Sequence, residues 1–386
     1  MRFFSLLTLL LLFFSSVNAE DEPKFSVVPT GRLLIDGAVY ASPQKELFAD
    51  GVAIPEVRVG AKMLYGKWSS MIDLGFAYGK IGLRNMWVQY DFNSHNNLRV
   101  GNFIQPFGLV GLPSINTMAT FEQPLAAALF RTGLQLGAMY TFYNESIISS
   151  TAVHAESSAL TNVMNYPLFN QQGYSFITRF VFHTKSSENS GLPVVSAGIS
   201  LGFSTPERRL VNDEDVHDGF TISANFPTKV SSETAISATV ANSRNRFKLT
   251  PELVLASSRL AMETQYFFQT IARKDNYPNY NAYGAYVTLR GILLGGNYSY
   301  DRASGQILNP KKNSLECLFD YNYANACDKK ASIFGGRANS FTVTLNYYFN
   351  PYITARLNYS FTHIWERQDA MPLTQNVVQA RIMVLF

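Results

Sequence analysis

Nine basic residues fall on the polar face of segments that alternate with period two: Arg32, Arg58, Lys62, Arg99, Arg179, Arg259, Arg290, Arg356 and Arg381. Successive side chains of a strand point to opposite sides, so a residue's parity assigns its face. Fixed cationic groups lining one face can replace part of the hydration shell of a small anion, and the guanidinium fork matches phosphate oxygens. The same parity puts Asp36, Glu56, Asp73, Glu252, Glu263, Glu316 and Asp320 on that face, which is therefore mixed with a small positive excess. One further cation, Arg131, follows a stretch from Asn102 to Phe130 that contains no Lys or Arg. Arg131 and Arg99, at the two ends of this stretch, are the first candidates for an anion preference. The alternative is that they pair with Glu122 and Asp73 and only brace the stretch against its surroundings.

Other chemistry finds little support. A hydrolase would need Ser, His and a carboxylate or amide converging on one face. Of the five histidines only His183 is inward on a strand, while His154 and His363 lie near strand ends or loops. No HExxH, CxxC or Gly-rich phosphate loop occurs, so neither catalysis nor a metal or other cofactor is expected. Cys317 reads as a strand residue and Cys327 as part of a polar loop. The ten residues between them would span about 33 Å if extended, which favours two unpaired thiols.

The elements that carry these residues are strands. In Ser340 to Phe349, Phe341, Val343, Leu345, Tyr347 and Phe349 face one way, and Thr342, Thr344, Asn346 and Tyr348 the other. After a turn at Asn350-Pro351, Ile353, Ala355, Leu357, Tyr359 and Phe361 oppose Thr354, Arg356, Asn358, Ser360 and Thr362. Tyr174, Phe176, Phe180 and Phe182 oppose Ser175, Arg179 and His183 in the same manner. The chain ends on Val378, Ala380, Ile382, Val384 and Phe386 alternating with Gln379 and Arg381, a strand suited to closing a barrel. In hydrocarbon a sheet must close on itself, because no water satisfies a free edge.

Residues 1–19 hold Arg2, an apolar run from Phe3 to Phe14 and small residues up to Ala19, the pattern of a cleaved signal peptide. Nothing later approaches the roughly 20 apolar residues of a membrane helix, yet 14% of the chain is aromatic. The formal net charge of +4 is too small to imply nucleic acid. Short polar breaks at Phe92–Asn96, Tyr143–Glu145 and Asn350-Pro351 read as periplasmic turns. Longer ones at 157–171, 205–216, 274–281, 325–338 and 364–375 read as outer loops. The expected fold is all-β, a transmembrane antiparallel barrel of about 16 strands, 16 to 18 by this count, occupying residues 20–386 as one domain. Residues 106–131 are too apolar to wander in water. Pro124 and the alanines after it suggest a short helix folded back into the barrel as a constriction loop.

Several blocks, in order and spacing, carry a resemblance to a known family. They are Gly31-Arg32-Leu33-Leu34-Ile35-Asp36-Gly37, Arg58-Val59-Gly60 with Gly66-Lys67-Trp68, Val100-Gly101-Asn102-Phe103 to Pro106-Phe107, and Phe121-Glu122. Farther on come Gly133 to Leu136, Glu263-Thr264-Gln265-Tyr266, Tyr286-Val287 through Gly295-Gly296, Leu315-Glu316, and Leu345 to Pro351 with Leu357-Asn358-Tyr359. The chain resembles the phosphate-selective porin O and P family over nearly all of the mature sequence. The resemblance implies a sixteen-stranded homotrimeric channel in the outer-membrane lipid, passing phosphate or other small anions. Where that family commonly has a basic residue after the Phe-Glu of the loop, this chain has Gln123. A general porin without phosphate preference therefore stays open, as does a closed structural or adhesive barrel presenting 157–171 and 205–216.

Overall fold

The computed structural model describes residues 23–77, 80–109, 117–155, 172–184, 193–211, 214–217, 219–310, 312–368 and 371–386. The expected signal peptide and the outer loop at 157–171 lie outside the described residues. In chain order the strands are β1 (Ser26–Tyr40), β2 (Gly51–Tyr65), β3 (Trp68–Ala77), β4 (Lys80–Asn93), β5 (Asn96–Ile104), β6 (Leu134–Tyr143), β7 (Ile147–Ala155), β8 (Tyr174–His183) and β9 (Val194–Ser204). Two small hairpins follow, β10 (Arg208–Val211) with β11 (Glu214–His217) and β12 (Phe220–Asn225) with β13 (Thr234–Val240). Then come β14 (Ser243–Ala256), β15 (Leu260–Arg273), β16 (Tyr280–Leu294), the three-residue strands β17 (Ser299–Asp301) and β18 (Gln306–Leu308), β19 (Ser314–Asp328), β20 (Ile333–Tyr348), β21 (Ile353–Arg367) and β22 (Leu373–Leu385). Helix α1 (Leu125–Phe130) lies between β5 and β6.

Sixteen of these strands form one closed antiparallel barrel, β1–β9, β14–β16 and β19–β22, while β10–β13 and β17–β18 form separate two-stranded sheets that take no part in its wall. The lower end of the expected strand range is the observed one. The seam closes where β22 pairs with β1 from Arg32↔Leu385 to Tyr40↔Val377, so the wall keeps no free edge. Gly31 and Phe386 exchange backbone hydrogen bonds of 2.6 and 3.1 Å at its lower end.

The expected parity holds in the wall. Phe176, Phe180, Phe182, Leu357, Tyr359, Val378 and Ile382 are exposed on the outside, while Ser175, Arg179, His183, Arg356, Asn358, Gln379 and Arg381 are buried inside. Three readings need correction. Strands β19, β20, β21 and β22 run far into the stretches 325–338 and 364–375, leaving connections of only a few residues there. Cys327 accordingly lies within the last residues of β19 instead of in a loop, and both cysteines are free. Arg259 is not a wall residue: it lies exposed in the turn between β14 and β15, where its carbonyl accepts from the Ile292 N–H. Residues 295–313 form a long lower connection containing β17 and β18. Gly295, at φ +90, lets the chain leave β16, since a Cβ there would collide with the Asn313 carbonyl oxygen.

The inside is not lined by polar side chains throughout. Its outer half holds an apolar core in which Ala38, Tyr40, Ile271, Tyr280, Ile364 and Val377 of the wall enclose α1 and the β12–β13 hairpin. A sheet hydrophobic on one face must bury that face, and this hairpin does so inside the barrel.

Candidate functional site

Among the described residues three inserts narrow the lumen, and the constriction loop between β5 and β6 is the one the other two touch. Its base is tied by Gln105, whose amide donates to Gln135 and, at 2.6 Å, to Ser175 Oγ, and accepts from Thr132. Gly108 N donates to Ser200 Oγ at 3.0 Å. Pro124 then stands immediately before α1, as its pre-set φ favours, and the helix has no side-chain cap. Leu125, Ala126, Ala127, Leu129 and Phe130 are buried, with the Phe130 ring stacked on Phe267 at 5.4 Å.

Ahead of the helix, residues 118–122 cross to β19–β22 and β1. Their carbonyls have no ladder partners, so buried donors must satisfy them. Arg356 donates to the carbonyls of Met118 and Thr120, both at 2.8 Å, and Asn346 donates to that of Ala119 at 2.8 Å. Arg381 donates to Phe121 O and to Glu122 Oε1, each at 2.6 Å, while its guanidinium lies 4.2 Å from the Phe121 ring centroid. Arg381 also makes a two-point bond with Asp36, at 2.7 and 2.6 Å. Glu122 adds an ion pair to Lys229 at 3.4 Å. Burial pushes the Glu122 carboxyl up, but Lys229 and Arg381 outweigh it and hold the group below the ordinary glutamate range.

The second insert is the β12–β13 hairpin from the outer end. Phe220, Ile222, Ala224 and Phe226 on one strand, and Ala235, Ile236, Ala238 and Val240 around the other, are buried against α1 and the wall. β13 can approach β20 because Gly335 has no side chain: a Cβ there would stand 2.6 Å from Ala238 Cβ. The third insert, β17–β18, enters from the lower end. Tyr298, Tyr300 and Ile307 join Val194, Val254, Ala256, Ala261, Ile292 and Leu109 of the constriction loop in a smaller apolar cluster. Tyr298 donates to Glu316 at 2.7 Å, Tyr300 Oη bonds His183 Nδ1 at 3.3 Å, and Arg179 donates to the Ser304 carbonyl at 3.0 Å. Between this hairpin and the loop a cavity of about 50 Å³ is lined by Met118, Thr120, Glu263, Thr288, Arg290 and Gln306, among others.

The expected cations separate into groups. Arg32 binds Glu56 at 2.8 Å, and Arg58 binds Glu56 at 2.6 Å and Asp73 at 3.7 Å. Arg179 pairs with Glu252 at 2.6 Å, and Arg290 pairs with Glu263 and Glu316 at 2.8 and 2.9 Å. Lys62 lies exposed toward the lower end of β2 and Arg259 in its turn, whereas Arg356 is buried against the loop carbonyls. Arg99 and Arg131 are different. Arg99 is held by Gln89 Oε1 at 3.0 and 2.7 Å and lies 4.2 Å from the Trp87 ring centroid; Asp91 is within electrostatic reach but not ion-paired. Arg131 follows α1, and among the described residues no carboxylate pairs with it; burial alone lowers its pKa, leaving it charged. The alternative pairing with Glu122 and Asp73 is not what is built, since those carboxylates serve Arg381, Lys229 and Arg58.

Parity missed inward cations, Arg246 and Lys248 among them. Arg246 and Lys248 on β14 are buried, the first 4.4 Å from the Phe220 ring centroid and the second 4.7 Å from that of Phe107. The alternation of β14 would have shown them, but β12 and β13 just before it alternate equally well, so the strand count through 217–257 could not be aligned.

The model of the family described as phosphate-selective porin O and P matches residues 51–386. The fold is shared with the outer membrane channel DcaP of Acinetobacter baumannii, at 11% identity and TM-score 0.58 over 97% of this chain and 100% of that one. It is shared with the trimer form of OmpT of Vibrio cholerae, at 10% and 0.57 over 94% and 99%. An anion-selective porin from Comamonas acidovorans matches at 10% and 0.59 over 94% and 100%. Comparison with curated protein sequences finds no match.

Proposed function

The chain belongs to the phosphate-selective porin O and P family and is a porin of the bacterial outer membrane, and from that premise we propose that it passes small solutes by diffusion with a preference for anions set at Arg99 and Arg131. The supporting observation is the contrast in charge compensation. Arg32, Arg58, Arg179 and Arg290 are each neutralised by carboxylates, whereas Arg99 and Arg131 are half-buried guanidiniums without an ion pair among the described residues. An uncompensated cation in a narrow, low-dielectric passage raises the local concentration of anions. The trimer form of OmpT and the anion-selective Comamonas porin share this fold, and on that likeness we take the working unit to be a homotrimer.

A porin without anion preference is the second reading, favoured by one feature. Arg290 stands between two carboxylates, Glu263 and Glu316, so this side of the lumen carries a net negative charge. Reversal potentials in planar bilayers under a potassium chloride gradient decide between the two. Anion-selective reversal that moves toward zero in Arg99→Ala and Arg131→Ala is the expected result. A non-selective wild type, or selectivity indifferent to both substitutions, removes the assignment.

A further inference from the structure

A row of polar side chains crosses five strands at one level of the lumen. Asp36 on β1 is the register partner of Arg381 on β22, Arg381 of Arg356 on β21, Arg356 of Asn346 on β20, and Asn346 of Glu316 on β19. Its centre places two arginines directly opposite each other, an arrangement that like-charge repulsion disfavours in a bare sheet. Asp36 compensates Arg381, and Glu122 adds to this. Arg356 has no such partner. It is 2% exposed, makes no ion pair among the described residues, and its Nε has no acceptor. The nearest carboxylates are engaged elsewhere, Glu316 by Arg290 and Glu122 by Arg381 and Lys229. A buried cation whose acceptors are only neutral carbonyls is costly, because carbonyl oxygens supply hydrogen bonds but no countercharge.

What faces the row is equally regular. Residues 118, 119, 120 and 121 each present a backbone oxygen to it and Glu122 a carboxylate oxygen, so five consecutive residues act together as a many-oxygen ligand. We propose that Arg356, with Arg381 beside it, is an oxyanion site that residues 118–122 of the constriction loop occupy in place of solute, so that an incoming oxyanion exchanges with the Met118 and Thr120 carbonyls and loosens the loop. The site rests on the anion reading above but is separate from Arg99 and Arg131. An oxyanion at Arg356 brings the countercharge the carbonyls lack and satisfies the orphaned Nε. The fork geometry favours phosphate or a carboxylate over chloride, which cannot bridge two N–H groups along parallel lines.

The test reads the loop, not the current. In a background with Cys317→Ser and Cys327→Ser, Gln123→Cys is labelled with a membrane-impermeant maleimide on the refolded full-length barrel. Inorganic phosphate is titrated against chloride at matched ionic strength. Phosphate is expected to raise the labelling rate several-fold, at lower concentration in Glu122→Gln, whose loop is the weaker competitor. Arg356→Gln is expected to abolish the phosphate response and Arg356→Lys to keep part of it. Phosphate-independent labelling in a barrel of unchanged heat-modifiable mobility overturns the site, as does a phosphate response that survives Arg356→Gln. Should Arg356→Gln fail to fold, the leftward shift in Glu122→Gln still decides: its absence rejects the exchange. Anion-selective reversal with no phosphate effect on labelling would leave the anion reading standing and remove this site. Labelling that responds in a non-selective pore would do the reverse.

Discussion

The two hairpins inside the barrel are held by different physics. β12–β13, from the outer end, is docked by apolar burial: Ile236 and Val240 are fully enclosed, and Phe226 packs edge-on to Phe48 at 5.1 Å. β17–β18, from the lower end, has a much smaller apolar cluster and is clasped by directional polar contacts from Arg179, Glu316 and His183. Apolar association is non-directional and scales with area, so the outer hairpin should resist single polar changes. The inner one depends on the geometry of a few bonds and should respond to each. One barrel thus carries a robust obstruction and a sensitive one in series.

The sharpest way to break this contrast is Arg179→Gln. It leaves Glu252 buried without its partner and frees the Ser304 carbonyl, for an expected loss of about 3–5 kcal/mol and increased current noise from a loosened inner hairpin. Arg179→Met with Glu252→Leu should recover most of the stability, and thermal unfolding in detergent measures both. Ile236→Ala comes next. A buried Ile-to-Ala change costs about 2–5 kcal/mol, yet the rest of the outer core should keep that hairpin docked and leave conductance nearly unchanged. A conductance jump in Ile236→Ala would reverse the ranking of the two plugs. Tyr300→Phe, which removes the hydroxyl bonded to His183, should cost about 1 kcal/mol and raise only the noise.

The smallest effect concerns pH. Because Glu122 is held below its ordinary value of 4.5, the ion pairs it makes with Arg381 and Lys229 contribute fully above that value and are lost as pH falls through the lowered one. The mobility of a spin label attached at Gln123→Cys should therefore be flat at neutral pH and rise only well below pH 4.5, a rise absent in Glu122→Gln. The apolar docking of β12–β13 should show no matching transition in the same range.

The wall was legible because lipid demands it. A spanning sheet must show apolar residues on every second position, and Ser340–Phe349 or Tyr174–His183 can meet that demand in only one parity. The helix after Pro124 was legible for a local reason as well. The hairpins were not: β12 and β13 alternate as wall strands do, and nothing local says that their apolar face meets α1 and not lipid. The β17–β18 segment was hidden by its length, since three-residue strands carry too little pattern to register.

By itself, then, the sequence determined a closed β-barrel, its lipid face, the position of the constriction loop and most, though not all, of the cations on the lumen face. These follow from period-two alternation and chain-local turn chemistry, which act between neighbours in the chain. Only the tertiary structure decided which cations are neutralised. Arg381 meets Asp36 across 345 positions of sequence, and Arg356 meets Thr120 across 236. Such pairings are set by barrel register and by where a loop lands, and parity can place a charge on a face without saying what stands opposite it.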